Sequence, residues 1–219
     1  MGEILVREVS GTAAVNERLW AERLTAEMDR LGIGYDPAAP AGIARYHSLL
    51  AEWNQHMNLT GDTEFDSAID RLYLDSLAPL GIDGAFPEGA SLIDVGTGAG
   101  FPGMVLRILE EDFDLTLLDS LGKRIAWLDE ICREMGLGRV ECVHARAEEF
   151  AAQRRERYDV ATSRAVADLP LLCELALPLV KVGGRFLAMK SVESEEEIAA
   201  AKAGIIKGGD VVVYGGTCR

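Results

Sequence analysis

The apolar positions of the first third of the chain recur at helical spacing. Val15, Leu19, Leu24, Met28 and Leu31 predict one helix, stopped by Gly32 and Gly34. Ile43, Tyr46, Leu50 and Trp53 share one face of a second helix over 40–56. A third opens at "TEFD" (63–66), with Thr63 as cap, Asp66 in the first turn and an apolar face of Phe65, Ile69, Leu72 and Leu77. The turn-rich "GIDGAFPEGA" (81–90) then marks a change of pattern. Short β-rich runs follow at 91–95, 115–119, 140–144, 158–163, 185–190 and 210–214. Helical patterns separate them, starting at Pro102 and covering 123–135, 148–155, 169–179 and 194–204.

Strands alternating with helices imply a mostly parallel, Rossmann-like sheet with helices on both faces. The expected organisation is an N-terminal helical region, 1–88, and a ligand-binding α/β domain, 89–219. Ligands of such sheets bind beyond the carboxyl ends of the strands. The loops after Val95, Asp119, His144 and Ser163 are therefore where chemistry is expected.

The first of these loops carries two overlapping fingerprints in "SLIDVGTGAGFPGMVL" (91–106). Gly98, Gly100 and Gly103 form G-x-G-x-x-G, the mark of a dinucleotide site, but that pattern is weak unless a helix opens within it. Asp94, Gly96, Gly98 and Gly100 form D-x-G-x-G-x-G, which suits S-adenosylmethionine. Glycines permit positive φ and close approach, and the following helix is expected to offer free N–H groups. Pro102 suits a first helical turn, which leaves a loop over 94–101 longer than a tight dinucleotide turn. A carboxylate at Asp94 would repel a pyrophosphate and welcome the ammonium of methionine. Asp119, at the end of the second strand, is placed for ribose hydroxyls in either class. These residues favour methyl transfer over hydride transfer and a class I methyltransferase fold.

Charge qualifies the choice of substrate. The net charge is −14, at first sight poor for a nucleic-acid partner. Residues 1–88 hold 6 basic and 15 acidic side chains, whereas 89–190 hold 13 and 16, so the acidity is concentrated away from the glycine loop. A local basic patch remains possible without strong non-specific RNA affinity. Lys123 and Arg124 open a helix where cations oppose the dipole, which points them towards RNA phosphate. Arg146, Arg164, Arg185 and Lys190 lie near strand ends and could extend that patch. The four cysteines form no C-x-x-C pair and read as reduced thiols, with no metal expected. No apolar run reaches the roughly 18 residues of a membrane span, and the first residues do not read as a signal peptide. A cytoplasmic, monomeric protein is expected.

Taken together, "WNQHMNLT" (53–60), "LDSL" (74–77), "DVGTGAGFPG" (94–103), "LLDSLGKRIAWL" (117–128), "ARAEEF" (145–150) and "SRAVADL" (163–169) resemble the bacterial small-subunit ribosomal RNA methyltransferase G family, also called glucose-inhibited division protein B. The resemblance covers about 46–190. It implies methyl transfer from S-adenosylmethionine to N7 of a guanine, numbered 527 in the 530 loop of 16S rRNA, in the 30S subunit or an assembly intermediate. It places cofactor contacts on Gly96, Phe101, Ala147, Glu148 and Arg164, the last facing either cofactor or RNA. Three departures stand out: Leu72 where the family has histidine, Ser191 after Lys190 where it has glycine, and no sequence for its final antiparallel strand. Guanine N7 has its own lone pair, so no general base is required, and none of His47, His56 and His144 is assigned a catalytic role. A small-molecule methyltransferase and a non-catalytic adenosylmethionine-binding, ribosome-associated factor are the competing readings.

Overall fold

The computed structural model describes residues 11–214 apart from 63, 111, 165–166 and 190–209. The predicted cap Thr63, the helix over 194–204, Lys190 and Cys218 lie outside the described residues. Helix α1 (Gly11–Leu31) packs on α2 (Ala39–Met57). Trp20, Leu24 and Met28 of α1 are buried in one core with Ile43, Tyr46 and Leu50 of α2.

The third predicted helix is a composite. Residues Phe65–Ala68 form α3, Ile69–Leu74 a π-helical stretch, Asp75–Leu77 α4, and Ala78–Gly81 a 3₁₀ turn. The wide turn buries Ile69 together with the consecutive Leu72, Tyr73 and Leu74. That face is broader than an α-helical stripe allows, and such π segments are often found at functional sites.

Six parallel strands make one sheet in the order β3-β2-β1-β4-β5-β6. They are β1 (Ser91–Val95), β2 (Asp114–Asp119), β3 (Val140–His144), β4 (Tyr158–Arg164), β5 (Val180–Met189) and β6 (Asp210–Tyr214). The intervening helices are α5 (Gly103–Leu109), α6 (Gly122–Glu134), α7 (Ala147–Gln153) and α8 (Leu169–Ala176). The last strand pairs parallel with β5, Arg185 opposite Asp210, and the described residues contain no antiparallel strand. β5 starts five residues earlier than its apolar pattern predicts, with an irregular register between Tyr158 and Val160.

Alternation along β1 sends Leu92 into the core shared with α1, α2, α5 and α6, and Ile93 and Val95 into the core shared with α7 and α8. Asp94 and Asp119 follow the Leu92 face, towards the N-terminal helices. Strand order reverses between β1 and β4, the usual ligand position in an open α/β sheet. No helix among the described residues is long and apolar enough to cross a membrane.

Candidate active site

The loop from β1 to α5 is built by its own hydrogen bonds. Gly96, Gly98 and Gly100 take φ values of 70°, 59° and 84°, which side chains resist. The amides of Gly96 and Thr97 donate to the carbonyl of Leu118 at 2.8 and 3.0 Å. Gly100 and Phe101 donate back to the carbonyl of Thr97, and Gly98 donates to Asp119 Oδ2 at 2.9 Å. The Gly103 amide reaches Asp94 Oδ2 at 3.0 Å. Six amides that could have cradled a phosphate are thus committed within the protein. The helix begins one residue later than predicted, at Gly103, and its first two amides are engaged, Gly103 with Asp94 and Met104 with the carbonyl of Gly100.

Asp94 closes this loop at both ends. It is fully buried, and Oδ2 also accepts from Thr97 Oγ1 at 2.7 Å while Oδ1 accepts from Thr162 Oγ1 at 3.3 Å. Burial pushes its carboxyl up to about 6, against the lowering effect of these hydrogen bonds and of Arg164.

A cavity of about 400 Å³ opens over the carboxyl ends of β1, β2 and β4. Gly96, Gly98, Phe101, Asp119, Arg124 and Arg164 line it, with Leu59 and Thr60 on the side of the N-terminal region. Asp119 Oδ1 accepts from the Leu121 amide at 2.8 Å, and Arg124 stands 3.7 Å from Oδ2. The carboxylate thereby offsets the cation at the start of α6. The Arg164 guanidinium lies 4.9 Å from the centre of the Phe101 ring, a cation–π contact. It donates to the carbonyls of Arg71 and Leu72 at 3.0 and 3.4 Å and pairs with Asp75 at 3.7 Å.

The N-terminal helices brace the loop from behind. Tyr46 Oη donates to the carbonyl of Ala99, and its ring stands 5.9 Å from Phe101. His47 is buried, stacked 3.8 Å from Trp20 and 3.0 Å from Tyr73 Oη, so it packs rather than reacts. A Cβ on Gly100 would come within 2.5 Å of Tyr46 Oη and 2.6 Å of Met104.

The family model described as rRNA small subunit methyltransferase G matches residues 41–214. The chain belongs to this family. A relative from Clostridium botulinum, named ribosomal RNA small subunit methyltransferase G, is 46% identical over 177 residues, covering 77% of this chain and 72% of its own. One of the same name from Geobacillus thermodenitrificans is 43% identical over 194 residues, covering 87% and 81%. Among solved structures, a SAM-dependent methyltransferase from Aquifex aeolicus matches at a TM-score of 0.41 and 19% identity, covering 53% of this chain and 62% of that one.

Within this member of the methyltransferase G family, the residues singled out from sequence fall into two groups. Gly96, Gly98, Phe101, Asp119, Arg124 and Arg164 come together in the cavity. The others do not. Asp94 clamps the loop, with Thr97, Gly103 and Thr162 on its oxygens, and does not line the cavity. Gly100 makes room for Tyr46 and does not line the cavity. Ala147 and Glu148 start α7 after β3 but are not among the cavity residues; Glu148 is exposed and pairs with Arg146 at 2.6 Å. Lys123 is exposed beside the cavity, while Arg124 turns inwards to Asp119. Leu72, in place of histidine, offers Arg164 its backbone carbonyl, beside the carbonyl of Arg71 and the carboxylate of Asp75.

Two contributors escaped the sequence reading. Tyr46 reads as one more apolar-face residue of a helix, since its partner lies 53 positions away. Leu59 and Thr60 carry no periodic signal and were quoted only as the last two residues of "WNQHMNLT", with no role of their own.

Proposed function

We propose that this chain methylates N7 of a guanine in 16S rRNA, guanine 527 of the 530 loop, in the small ribosomal subunit or its precursor. Family membership supports the RNA, and the cavity supports the atom. Among the described residues, its titratable side chains are Asp119, Arg124 and Arg164. Asp119 holds two amides and faces Arg124, and neither arginine serves as a base at neutral pH. A site without a poised proton acceptor suits a nucleophile that brings its own in-plane lone pair.

S-adenosylmethionine is the cofactor, supplying a methyl group already activated on a sulfonium. The site fits it. The space over Gly98 is open, with nothing nearer than 3.9 Å to an added Cβ. Asp119 retains unused lone pairs for ribose hydroxyls, and Arg164 is placed for a carboxylate. The committed loop amides leave little to attract a pyrophosphate. From there the protein's task is alignment and exclusion of water, which is worth several kcal/mol without any proton transfer. Phe101, Ala99 and Leu59 supply the apolar wall, and the Asp119 carboxylate favours cationic charge growing on the base. Exposed Lys123 is free to meet RNA phosphate at the rim.

The test is methyl incorporation from labelled cofactor into small subunits lacking the modification, with the pH dependence of kcat recorded. Incorporation with a flat kcat between about pH 6.5 and 9 is expected when no base is used. No incorporation, or a tenfold rise per pH unit, contradicts the proposal.

A further inference from the structure

The connection leaving α2 is held by one side chain. Asn58 ends the helix in the left-handed region, φ 48° and ψ 58°. Asn54 Oδ1 then accepts from the amides of Leu59 and Thr60 at 2.5 and 2.9 Å, and Nδ2 donates to the carbonyl of Thr60 at 2.9 Å. Three hydrogen bonds from a single amide fix both residues. Thr60 Oγ1 accepts from the Asp62 amide at 3.1 Å, which leaves its hydrogen available to a neighbour.

These two residues are, among the described ones, the part of the cavity lining contributed by the N-terminal region. The rest comes from the strand-end loops, where the cofactor belongs on the reading above. The connection is also tied to Arg164: Asp62 pairs with Arg71 at 3.8 Å, and the carbonyl of Arg71 accepts from Arg164. Wall, Arg164 and Phe101 thus form one assembly facing the cofactor side.

We infer that Leu59 and Thr60 form the wall against which the acceptor base is received, and that Asn54 is the positioning residue that sets this wall. The inference rests on the proposed RNA-methylating function. A guanine presents the O6 acceptor beside N7, whereas an adenine presents an amino donor there. The Thr60 hydroxyl is of the kind that meets the former.

Three quantities decide the matter in Asn54→Ala and Asn54→Asp: the unfolding midpoint, the affinity for S-adenosylmethionine by calorimetry, and kcat and KM for small subunits lacking the modification. Asn54→Ala is expected to keep cofactor affinity within about twofold while kcat/KM for the subunit falls at least about tenfold, the loss of roughly one or two hydrogen bonds' worth of positioning. Asn54→Asp keeps an oxygen for the two amides but sets a carboxylate oxygen against the Thr60 carbonyl, so it too is expected to lose kcat/KM for the subunit while keeping cofactor affinity within about twofold. Should Asn54→Ala fail to fold, Thr60→Val carries the test with the same readouts and the same expectation. A folded variant with unchanged kcat/KM overturns the inference, as does a loss of cofactor affinity equal to the loss in kcat/KM, which would assign the wall to the cofactor. If the unaltered protein labels no RNA, the proposed function fails instead, so the two failures are distinct.

Discussion

Asp94, the penultimate residue of β1, and Asp119, the last of β2, lie on neighbouring parallel strands, point to the same face of the sheet and are both nearly or fully buried. Their roles nevertheless differ. The chain turns back over Asp94, so Thr97 and Gly103, three and nine residues on, close upon it. After Asp119 the chain instead goes straight into α6, and the carboxylate stays at the cavity with one amide on each oxygen. A strand-end aspartate is thus assigned by the path of the backbone after it, not by its position in the sheet. The end of β1 is a structural knot, and the end of β2 faces the cavity.

The largest expected effect comes from disturbing the knot. Gly100→Ala forces a side chain into φ 84° and into Tyr46 and Met104, at a cost of about 2–4 kcal/mol. Chemical denaturation would measure it; a variant within about 0.5 kcal/mol would show that the loop is not braced by α2. Asp94→Ala comes next, stripping buried partners from Thr97 and Gly103 and costing about 1–3 kcal/mol of stability. Asp119→Ala inverts the pattern. Its folding stability should fall less than that of Asp94→Ala, while cofactor affinity drops about tenfold to a hundredfold, the range for hydrogen bonds to a charged group. Equal effects on folding and affinity in both variants would erase the distinction between the two ends.

The pH dependence sharpens the same contrast. The Asp94 carboxyl is raised to about 6 in the folded protein, from an ordinary value near 4 when unfolded. The folded state therefore holds its proton longer. Stability from this group is fully present below about pH 4, declines by a few kcal/mol as pH rises to about 6, and is level above that. In Asp94→Asn the decline should vanish; if it persists, another group carries it. The smallest effect is expected at Glu148. Its exposed pair with Arg146 contributes little, so Glu148→Ala should leave both the unfolding midpoint and cofactor affinity nearly unchanged. A marked loss of affinity would restore its side chain to the site.

Much of the frame was legible in the sequence because its signals are local. Runs such as "SLIDV" and "VECVH" became β1 and β3 with their predicted bounds, and Gly32 stopped α1 as expected. Asp119 and Arg164 were legible as strand-end residues, since the carboxyl edge of a parallel sheet is where such side chains converge, whereas Phe101 came only from the family resemblance. The clamp made by Asp94 was not legible, because residue type and strand position do not reveal which hydrogen bonds the next turn will impose. Tyr46 was hidden by its spacing, which is that of any core position. The π-helical turn at 69–74 was hidden as well, because its wide face depends on the core it meets. Asn54 was marked by its motif, but its function became readable only when the left-handed Asn58 turned the chain back upon it.

The most direct test of the account is the identity of the methylated nucleoside. Small subunits lacking the modification, treated with the protein and labelled cofactor and digested to nucleosides, should carry the label in 7-methylguanosine, and much less of it with Asp119→Ala. Label on a ribose, on an exocyclic amine or on another base would contradict a cavity built for a nucleophile that needs no base.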